Sequence, residues 1–213
     1  MRLASLTIFL LAALSLSPSA QAAEPIRIGA VVSATGPASF LGEPEKNTLQ
    51  MQADALNAAG GLLGRPVEVI VLDDETDVNK CVLAVDRLLK KENVAAVVGP
   101  TVSGNSLAVA PKVEAAKTPM VSMAAAEKIV KPVNPFVFKT AQSDRLAVAR
   151  ILAHAKKQGY KKLAVLTVSD GFGQAGREVL KELVPAEGFE LVADEVFGPK
   201  DTDMTAQLTK IQG

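Results

Sequence analysis

Hydroxyl-bearing and small side chains follow two apolar segments in the middle of the chain, where they could bind a small anion. Val94–Val98 is followed by the hydroxylated segment Thr101–Ser106, and Pro119–Ser122 is followed by Met123–Ala126, which contains three alanines. The two apolar segments are typical of buried parallel strands. Ligands of open α/β sheets bind at the carboxyl ends of such strands. The sequence therefore predicts a pocket of backbone N–H groups and the Ser103 hydroxyl, suited to a carboxylate.

An acidic cluster, Asp73–Asp77, places four carboxylates in five positions. Oxygen ligands suit Ca²⁺ or Mg²⁺, but the cluster lacks the alternating spacing of a calcium-binding loop. Acidic residues are also favoured where a helix begins, because the helix dipole is positive there. We interpret the cluster as a solvated strand end that leads into a helix, with Asp77 as the helix cap. No His and Cys residues have metal-ligand spacing either, so we expect no metal site.

A Gly-x-Gly-x-x-Gly pattern, Gly171–Gly176, follows a predicted strand and opens a predicted helix. Asp194 comes 18 residues after the last glycine, so the segment satisfies much of the dinucleotide-binding fingerprint. One hypothesis is therefore an NAD(P)-dependent oxidoreductase that uses this loop. Asp170, however, places a negative charge where the pyrophosphate would bind. We prefer the interpretation that the loop binds no cofactor and presents Phe172 as an apolar lid.

Nucleophilic catalysis is not favoured by the remaining candidate residues. Ser103 lacks the spacing of a nucleophile elbow, because Thr101 and not glycine lies two residues before it. The single histidine, His154, falls in a predicted helix of a different part of the chain. The single cysteine, Cys81, lies on the apolar face of another predicted helix, where a buried thiol packs as a small hydrophobic group. These residues indicate a protein that is not an enzyme.

Predicted strands and helices alternate along the chain, which favours an α/β fold with doubly wound parallel sheets. The predicted strands are Ile26–Val32, Pro66–Leu72, Val94–Val98, Pro119–Ser122, Phe136–Phe138, Lys161–Val168 and Phe189–Phe197. The predicted helices include Val78–Lys91, Leu107–Ala116, a helix that ends at Lys157, Phe172–Glu187, and a last helix from Thr202 or Asp203.

Two further expectations concern helix positions and the division of the chain. The first helix should begin near Pro44, which the first turn of a helix tolerates, after a loop that contains Phe40 and Leu41. In the helix that ends at Lys157, we expect Val148, Ile151, Leu152 and Ala155 to face inward.

A rigid, proline-containing segment precedes Thr140, where we expect a second α/β unit to begin. We therefore divide the chain after its first 23 residues into units 24–139 and 140–213.

The first residues have the composition of a secretory signal. Arg2 precedes the apolar segment Leu3–Leu16, and small residues follow at Ser19–Ala23. Because this apolar segment is too short to span a membrane comfortably, we expect residues 1–23 to be a cleaved signal peptide and the mature chain to be periplasmic. Basic and acidic residues number 23 each, and there is no Trp. This composition argues against nucleic acid binding and against stable membrane association after cleavage.

Short motifs spread over the mature chain resemble the branched-chain amino acid-binding (leucine-binding protein-like) family of periplasmic solute-binding proteins of ABC importers. In order, they are Ile28-Gly29 through Thr35-Gly36-Pro37, Asn57-Ala58-Ala59-Gly60-Gly61, Asp73-Asp74, Val98-Gly99-Pro100 with Ser103, Pro119-Met120-Val121-Ser122, Asp170-Gly171-Phe172-Gly173 and Asp201-Thr202-Asp203. The resemblance implies two α/β lobes that are joined by a hinge and close on a ligand, and a membrane permease as partner.

The resemblance also implies roles for individual residues. Ser103 would bind the ligand carboxylate, helped by main-chain groups around Ala124 and Ala126. The first-lobe residues Phe40 and Leu41 would line the cleft. From the second lobe, Phe172 would close over the ligand.

Two departures from the family pattern bear on the ligand. Where amino acid-binding members often carry a second hydroxyl, this chain has Ala126, and Leu41 nearby is apolar. An aromatic or aliphatic carboxylate therefore competes with a branched-chain amino acid. Family members also continue further, so the resemblance implies an incomplete second lobe, with the acidic group for a ligand ammonium expected beyond Gly213. A ligand-sensing domain of a receptor or regulator with the same fold is a further hypothesis.

Overall fold

The computed structural model describes residues 23–212, so the expected signal peptide lies almost entirely outside the described residues. The strands are β1 (Ile26–Val32), β2 (Val67–Asp73), β3 (Ala96–Val98), β4 (Met120–Ser122), β5 (Val137–Lys139), β6 (Lys162–Val168) and β7 (Glu190–Phe197). The helices are α1 (Ser39–Ala58), α2 (Val78–Arg87), α3 (Ser103–Ala115), α4 (Asp144–Lys157), α5 (Gly171–Ala186) and α6 (Thr205–Gln212). A π-helical turn, Leu88–Glu92, extends α2, and a 3₁₀ turn, Glu127–Ile129, follows β4.

The strands form two parallel sheets, as the alternation of elements predicts. The first sheet has the order β2-β1-β3-β4-β5, and β6 and β7 form the second. We call the first sheet with α1–α3 the first lobe, and the second sheet with α4–α6 the second lobe. Strand β5 ends at Lys139 and α4 begins at Asp144. Helices α1, α2, α3 and α5 each connect successive strands of one sheet, as crossovers between parallel strands do, and the α/β fold class is confirmed.

The core of the first lobe lies between its sheet and helices α2 and α3. Helix α2 and the π-helical turn that extends it direct Cys81, Val85 and Leu88 into this core, and all three side chains are fully buried. Their spacing of four and three residues places them on one face of a helix. A Cβ atom at Gly29 of β1 would lie 2.7 Å from Cδ1 of Leu88, so the glycine makes room for that leucine.

The second lobe has its own smaller core between α4 and α5. Val148 and Leu152 of α4 pack there with Val184 of α5 and with Phe189. Ile151 was expected to face inward, but this was wrong, because its side chain is 58% exposed. The buried residues of α4 form a narrow stripe with Leu152 at one edge, and Ile151 lies about 100° around the helix from Leu152, just beyond the other edge.

Two helices begin earlier than the sequence indicates. Helix α1 begins at Ser39, so Phe40 and Leu41 are helical and Pro44 lies inside the helix and not in its first turn. The early start is held by close packing, since a Cβ atom at Gly42 would lie 2.1 Å from the carbonyl oxygen of Ser33. Helix α3 likewise begins at Ser103, within the segment that was expected to be a polar turn.

Strand β2 is an edge of the first sheet, and the side chain of Asn57 covers its beginning. The Asn57 amide nitrogen donates to the carbonyl oxygen of Val67 at 2.9 Å, and the N–H of Val67 donates to Asn57 Oδ1 at 2.7 Å. The asparagine side chain thus satisfies one backbone donor and one backbone acceptor, as a neighbouring strand would.

Candidate ligand-binding site

A buried carboxylate, Asp74, ties together the carboxyl ends of the first strands. Its Oδ1 accepts hydrogen bonds from the Ser33 hydroxyl at 2.7 Å and from the N–H of Thr76 at 2.9 Å. Its Oδ2 accepts from the side-chain amide of Asn105 at 2.8 Å. Ser33 follows β1, Asp74 follows β2 and Asn105 lies in the first turn of α3. The carboxylate therefore fixes where α3 begins relative to the sheet.

A second polar chain runs from the sheet to α1. The N–H of Ser33 donates to Thr101 Oγ1 at 2.9 Å, and the Thr101 hydroxyl donates to Glu45 Oε2 at 2.5 Å. Burial raises the pKa of the Glu45 carboxyl, and the negative charge of Asp74 acts in the same direction, against the hydrogen bond from Thr101. Glu45 thereby places an acid of raised pKa beside the site.

Ser103 is the first residue of α3 and is only 1% exposed. Its Oγ accepts a hydrogen bond from the N–H of Ala126 at 3.3 Å. A serine hydroxyl can accept and donate at once, so its own proton remains available to a ligand. The structure thus brings together Ser103 and Ala126, which are 23 residues apart in the sequence.

The main-chain donors of the site differ from those expected from the sequence. The N–H groups of Ala124 and Ala126 are already satisfied, by Ser122 Oγ at 3.1 Å and by Ser103 Oγ at 3.3 Å. Within residues 23–212, no acceptor bonds the N–H groups of Ser103, Gly104 or Asn105. These are the first amides of α3, and such groups are left without partners by helix geometry and attract anions.

The three apolar residues proposed for the site lie in the first turns of two helices. Phe40 and Leu41 are in α1 and are 73% and 45% exposed, and Phe172 is in α5 and is 53% exposed. All three keep apolar surface accessible to a ligand. Their contact with a ligand stays a prediction.

The Gly171–Gly176 segment is explained without a nucleotide. The Asp170 carboxylate caps α5 and accepts hydrogen bonds from the N–H groups of Phe172 at 3.0 Å and Gly173 at 2.8 Å. A pyrophosphate would need the same N–H groups as donors. A Cβ atom at Gly173 would lie 1.9 Å from the carbonyl oxygen of Val168, so this glycine allows the helix to pack on β6.

Asp194, the carboxylate that would bind a ribose in the dinucleotide fingerprint, already has partners in the protein. Asp194 forms ion pairs with Arg177 at 2.6 Å and with Lys181 at 3.2 Å. The hydrogen bond from Arg177 lowers the pKa of the Asp194 carboxyl. The fingerprint in this chain therefore serves helix capping, packing and ion pairing.

Each carboxylate of the acidic cluster has a separate structural partner. Asp73 accepts from Thr35, Asp74 is the buried carboxylate described above, Glu75 pairs with Lys80, and Asp77 caps α2 through the N–H groups of Asn79 and Lys80. Across residues 23–212, no group of three or more His, Cys, Asp or Glu side chains is arranged to hold a metal ion. The same residues include no helix long and apolar enough to cross a membrane.

The sequence profile of the family described as "Periplasmic binding protein" matches residues 25–213. The chain belongs to this family. The Leu/Ile/Val-binding protein BraC3 of Rhizobium johnstonii is 29% identical over 217 residues, which cover all of this chain and 58% of BraC3. The chain spans about half the length of the relatives it matches, so the family's fold is represented here by one part of it.

Solved structures of the periplasmic binding protein type share this architecture. An extracellular ligand-binding receptor from Rhodopseudomonas palustris HaA2 superposes with a TM-score of 0.80 at 33% identity, over 88% of this chain and 51% of the receptor. The substrate-binding protein LivJ of a branched-chain amino acid transporter from Streptococcus pneumoniae, in complex with isoleucine, has a TM-score of 0.78 at 28% identity, over 89% of this chain and 54% of LivJ.

Two features of the site were not predicted from the sequence. Glu45 was missed because it lies on an exposed stretch of α1 and only the fold brings it to Thr101. Asn105 was noticed only as part of a polar segment, although its amide anchors α3 on Asp74. The one available signal was that an amide and a carboxylate follow strands whose carboxyl ends share a sheet edge.

Proposed function

We propose that the chain is part of the extracytoplasmic substrate-binding component of an ABC importer and that it binds a small apolar carboxylate. The observation that carries the proposal is the start of α3 at the carboxyl edge of the sheet, where the Ser103 hydroxyl lies beside three backbone N–H groups that have no acceptor among residues 23–212. Such an arrangement binds one carboxylate through charge-assisted hydrogen bonds. Membership of the periplasmic binding protein family supports a binding role and not a catalytic one.

The proposed ligand class rests on the apolar residues that are predicted to line the cleft. Phe40, Leu41 and Phe172 present apolar surface at the ends of α1 and α5. Ala126 adds no hydroxyl that would select a polar ligand. A branched-chain amino acid and an aromatic acid such as benzoate therefore both fit the proposal, and the isoleucine complex of LivJ favours the former. The proposed location is the periplasm, after cleavage of residues 1–23, and the proposed partner is a membrane permease.

Calorimetric titration with leucine, isoleucine and benzoate tests the proposal. A ligand at about a hundred times its Kd should also stabilise the fold by about 2.7 kcal/mol in a thermal melt. Ser103→Ala should weaken binding by about 1.5–3 kcal/mol, the range for a hydrogen bond to a charged group, which is roughly a 10- to 150-fold higher Kd.

Ser143→Ala is the matched control, because the Ser143 side chain makes no capping hydrogen bond and lies at the start of α4. It should leave affinity unchanged. Binding of none of the three carboxylates, or equal affinity of Ser103→Ala and the parent chain, would contradict the proposed site.

A further inference from the structure

One face of α5 contributes a large part of the contact between the two lobes, beside contacts of α4 with Ala125 and Glu127. Gly171, Ala175, Glu178 and Glu182 follow one another at intervals of four, three and four residues, so they lie on the same side of the helix. We call this face the α5 seam. It begins with residues that have little or no side chain and ends with two carboxylates.

The small end of the α5 seam rests directly on the start of α3. A Cβ atom at Gly171 would lie 2.7 Å from both the nitrogen and Cα of Gly104, and 3.4 Å from the carbonyl carbon of Ser103. The backbone at Gly171 is not in the left-handed region, so its conformation does not require glycine. The lack of space requires glycine, because the atoms opposite are backbone atoms of α3, which cannot rotate away.

The contact is asymmetric between its two glycines. A Cβ atom at Gly104 would lie 3.8 Å from the nitrogen and 3.9 Å from Cα of Gly171, which is ordinary van der Waals contact. A methyl group is therefore accommodated on α3 and excluded on α5. Gly176, further along α5, has no atom within 4 Å of the position of its Cβ.

The remainder of the α5 seam holds the same contact by burial and charge. Ala175 is buried within the hydrophobic core of the first lobe. Glu178 pairs with Lys128 of the first lobe at 2.5 Å, and Glu182 pairs with Arg145 at 2.6 Å, which in turn contacts Glu127 of the first lobe at 3.1 Å. These ion pairs are partly exposed, so each contributes little on its own.

We propose that the missing side chain at Gly171 sets how closely the two lobes approach. Gly171 is a positioning residue that lets α5 lie over the start of α3, where Ser103 is buried beneath it. A side chain at this position forces the backbones apart by at least about 0.7 Å to restore a 3.4 Å contact, and it separates the lobes. In combination with the proposed function, Gly171 would control how tightly a bound carboxylate is enclosed.

The distance between the lobes tests this proposal without any ligand. Spin labels on introduced cysteines, measured by double electron–electron resonance in the full chain, report that distance. The native Cys81 is fully buried and burial raises its thiol pKa, so it does not take up label. Exposed label positions are available on both lobes in two pairs, Met51 with Ile151 and Leu83 with Tyr160.

Gly171→Ala should lengthen the mean distance of at least one pair and broaden its distribution. Gly104→Ala and Gly176→Ala carry the same change at neighbouring positions that have space, and both should give the parent distances. Unchanged distances in Gly171→Ala, or equal lengthening in all three variants, would overturn the proposal. Because no ligand is used, failure of the carboxylate-binding proposal would leave this result interpretable.

A second variant covers the case in which Gly171→Ala does not fold. Lys128→Glu places a carboxylate opposite Glu178 at the exposed end of the α5 seam. Like charges should push the lobes apart and lengthen the same distances, more at low than at high salt. Parent distances at low salt would show that the α5 seam does not govern the separation.

Discussion

Replacing Asp74 by alanine should remove the polar anchor beneath the candidate site. The change removes the acceptor shared by the buried Ser33 hydroxyl, the buried Asn105 amide and the partly buried Thr76 N–H. Each hydrogen bond to a charged group contributes about 1.5–3 kcal/mol, although the three are not additive. Removing the buried charge itself recovers some desolvation free energy. We therefore expect a loss of about 3–5 kcal/mol in the free energy of unfolding.

Urea denaturation followed by circular dichroism measures this loss. Asp74→Asn keeps one acceptor oxygen but turns an amide N–H₂ toward the N–H₂ of Asn105, so its midpoint should fall between those of Asp74→Ala and the parent chain. Asp54→Ala is the control, because Asp54 is exposed and its one side-chain hydrogen bond among the described residues comes from Gln50. If the free energies of unfolding of Asp74→Ala and Asp54→Ala differed by less than about 1 kcal/mol, the anchoring role of Asp74 would be refuted.

Two smaller predictions concern helix α2 and the acid beside the site. Asp77→Ala should lower the free energy of unfolding by about 1 kcal/mol, since the Asp77 carboxylate caps α2. Ser143→Ala should leave it unchanged, because the Ser143 side chain makes no capping hydrogen bond. Equal urea midpoints for the two variants would contradict this prediction. The raised pKa of Glu45 favours its protonated form in the folded state, so the stability it contributes is present below its ordinary pKa and is lost as pH rises through the raised value. Glu45→Gln should flatten the curve of unfolding free energy against pH above about pH 4, the ordinary pKa of a glutamate side chain. An unchanged curve would show that Glu45 does not contribute to the pH dependence.

Local patterns predicted the elements well where they were long and regular. Strand β1 has the predicted bounds, Ile26–Val32, and the apolar period of α2 correctly placed Cys81 on its buried face. Helix starts were less predictable, because Pro44 and the hydroxylated segment Thr101–Ser106 both suggest a boundary later than the observed one. Close packing of Gly42 against the backbone of Ser33, directly after β1, overrides the signal from the proline.

The polar network of the site could not be derived from the sequence. Ser33 and Asp74 are 41 residues apart, and Asp74 and Asn105 are 31 apart. Their meeting depends on the strand order β2-β1-β3, which hydrophobic periodicity does not specify. The choice of Ser103 needed only the general rule that ligands bind at the carboxyl edge of a parallel sheet. The sequence could not indicate which backbone amides are available to a ligand, because the acceptors of the Ala124 and Ala126 N–H groups are known only from the structure.

The side chain of Asn57 has a consequence for self-association. An edge strand offers unpaired backbone groups to strands of other molecules, and aggregation begins by such pairing. Since Asn57 already occupies the outward N–H and C=O of Val67, an incoming chain cannot pair with β2 from its first residue. At the opposite edge, β5 offers only three residues, too short a template for a stable added strand. Both edges of the first sheet are thereby made poor nuclei for intermolecular β-structure.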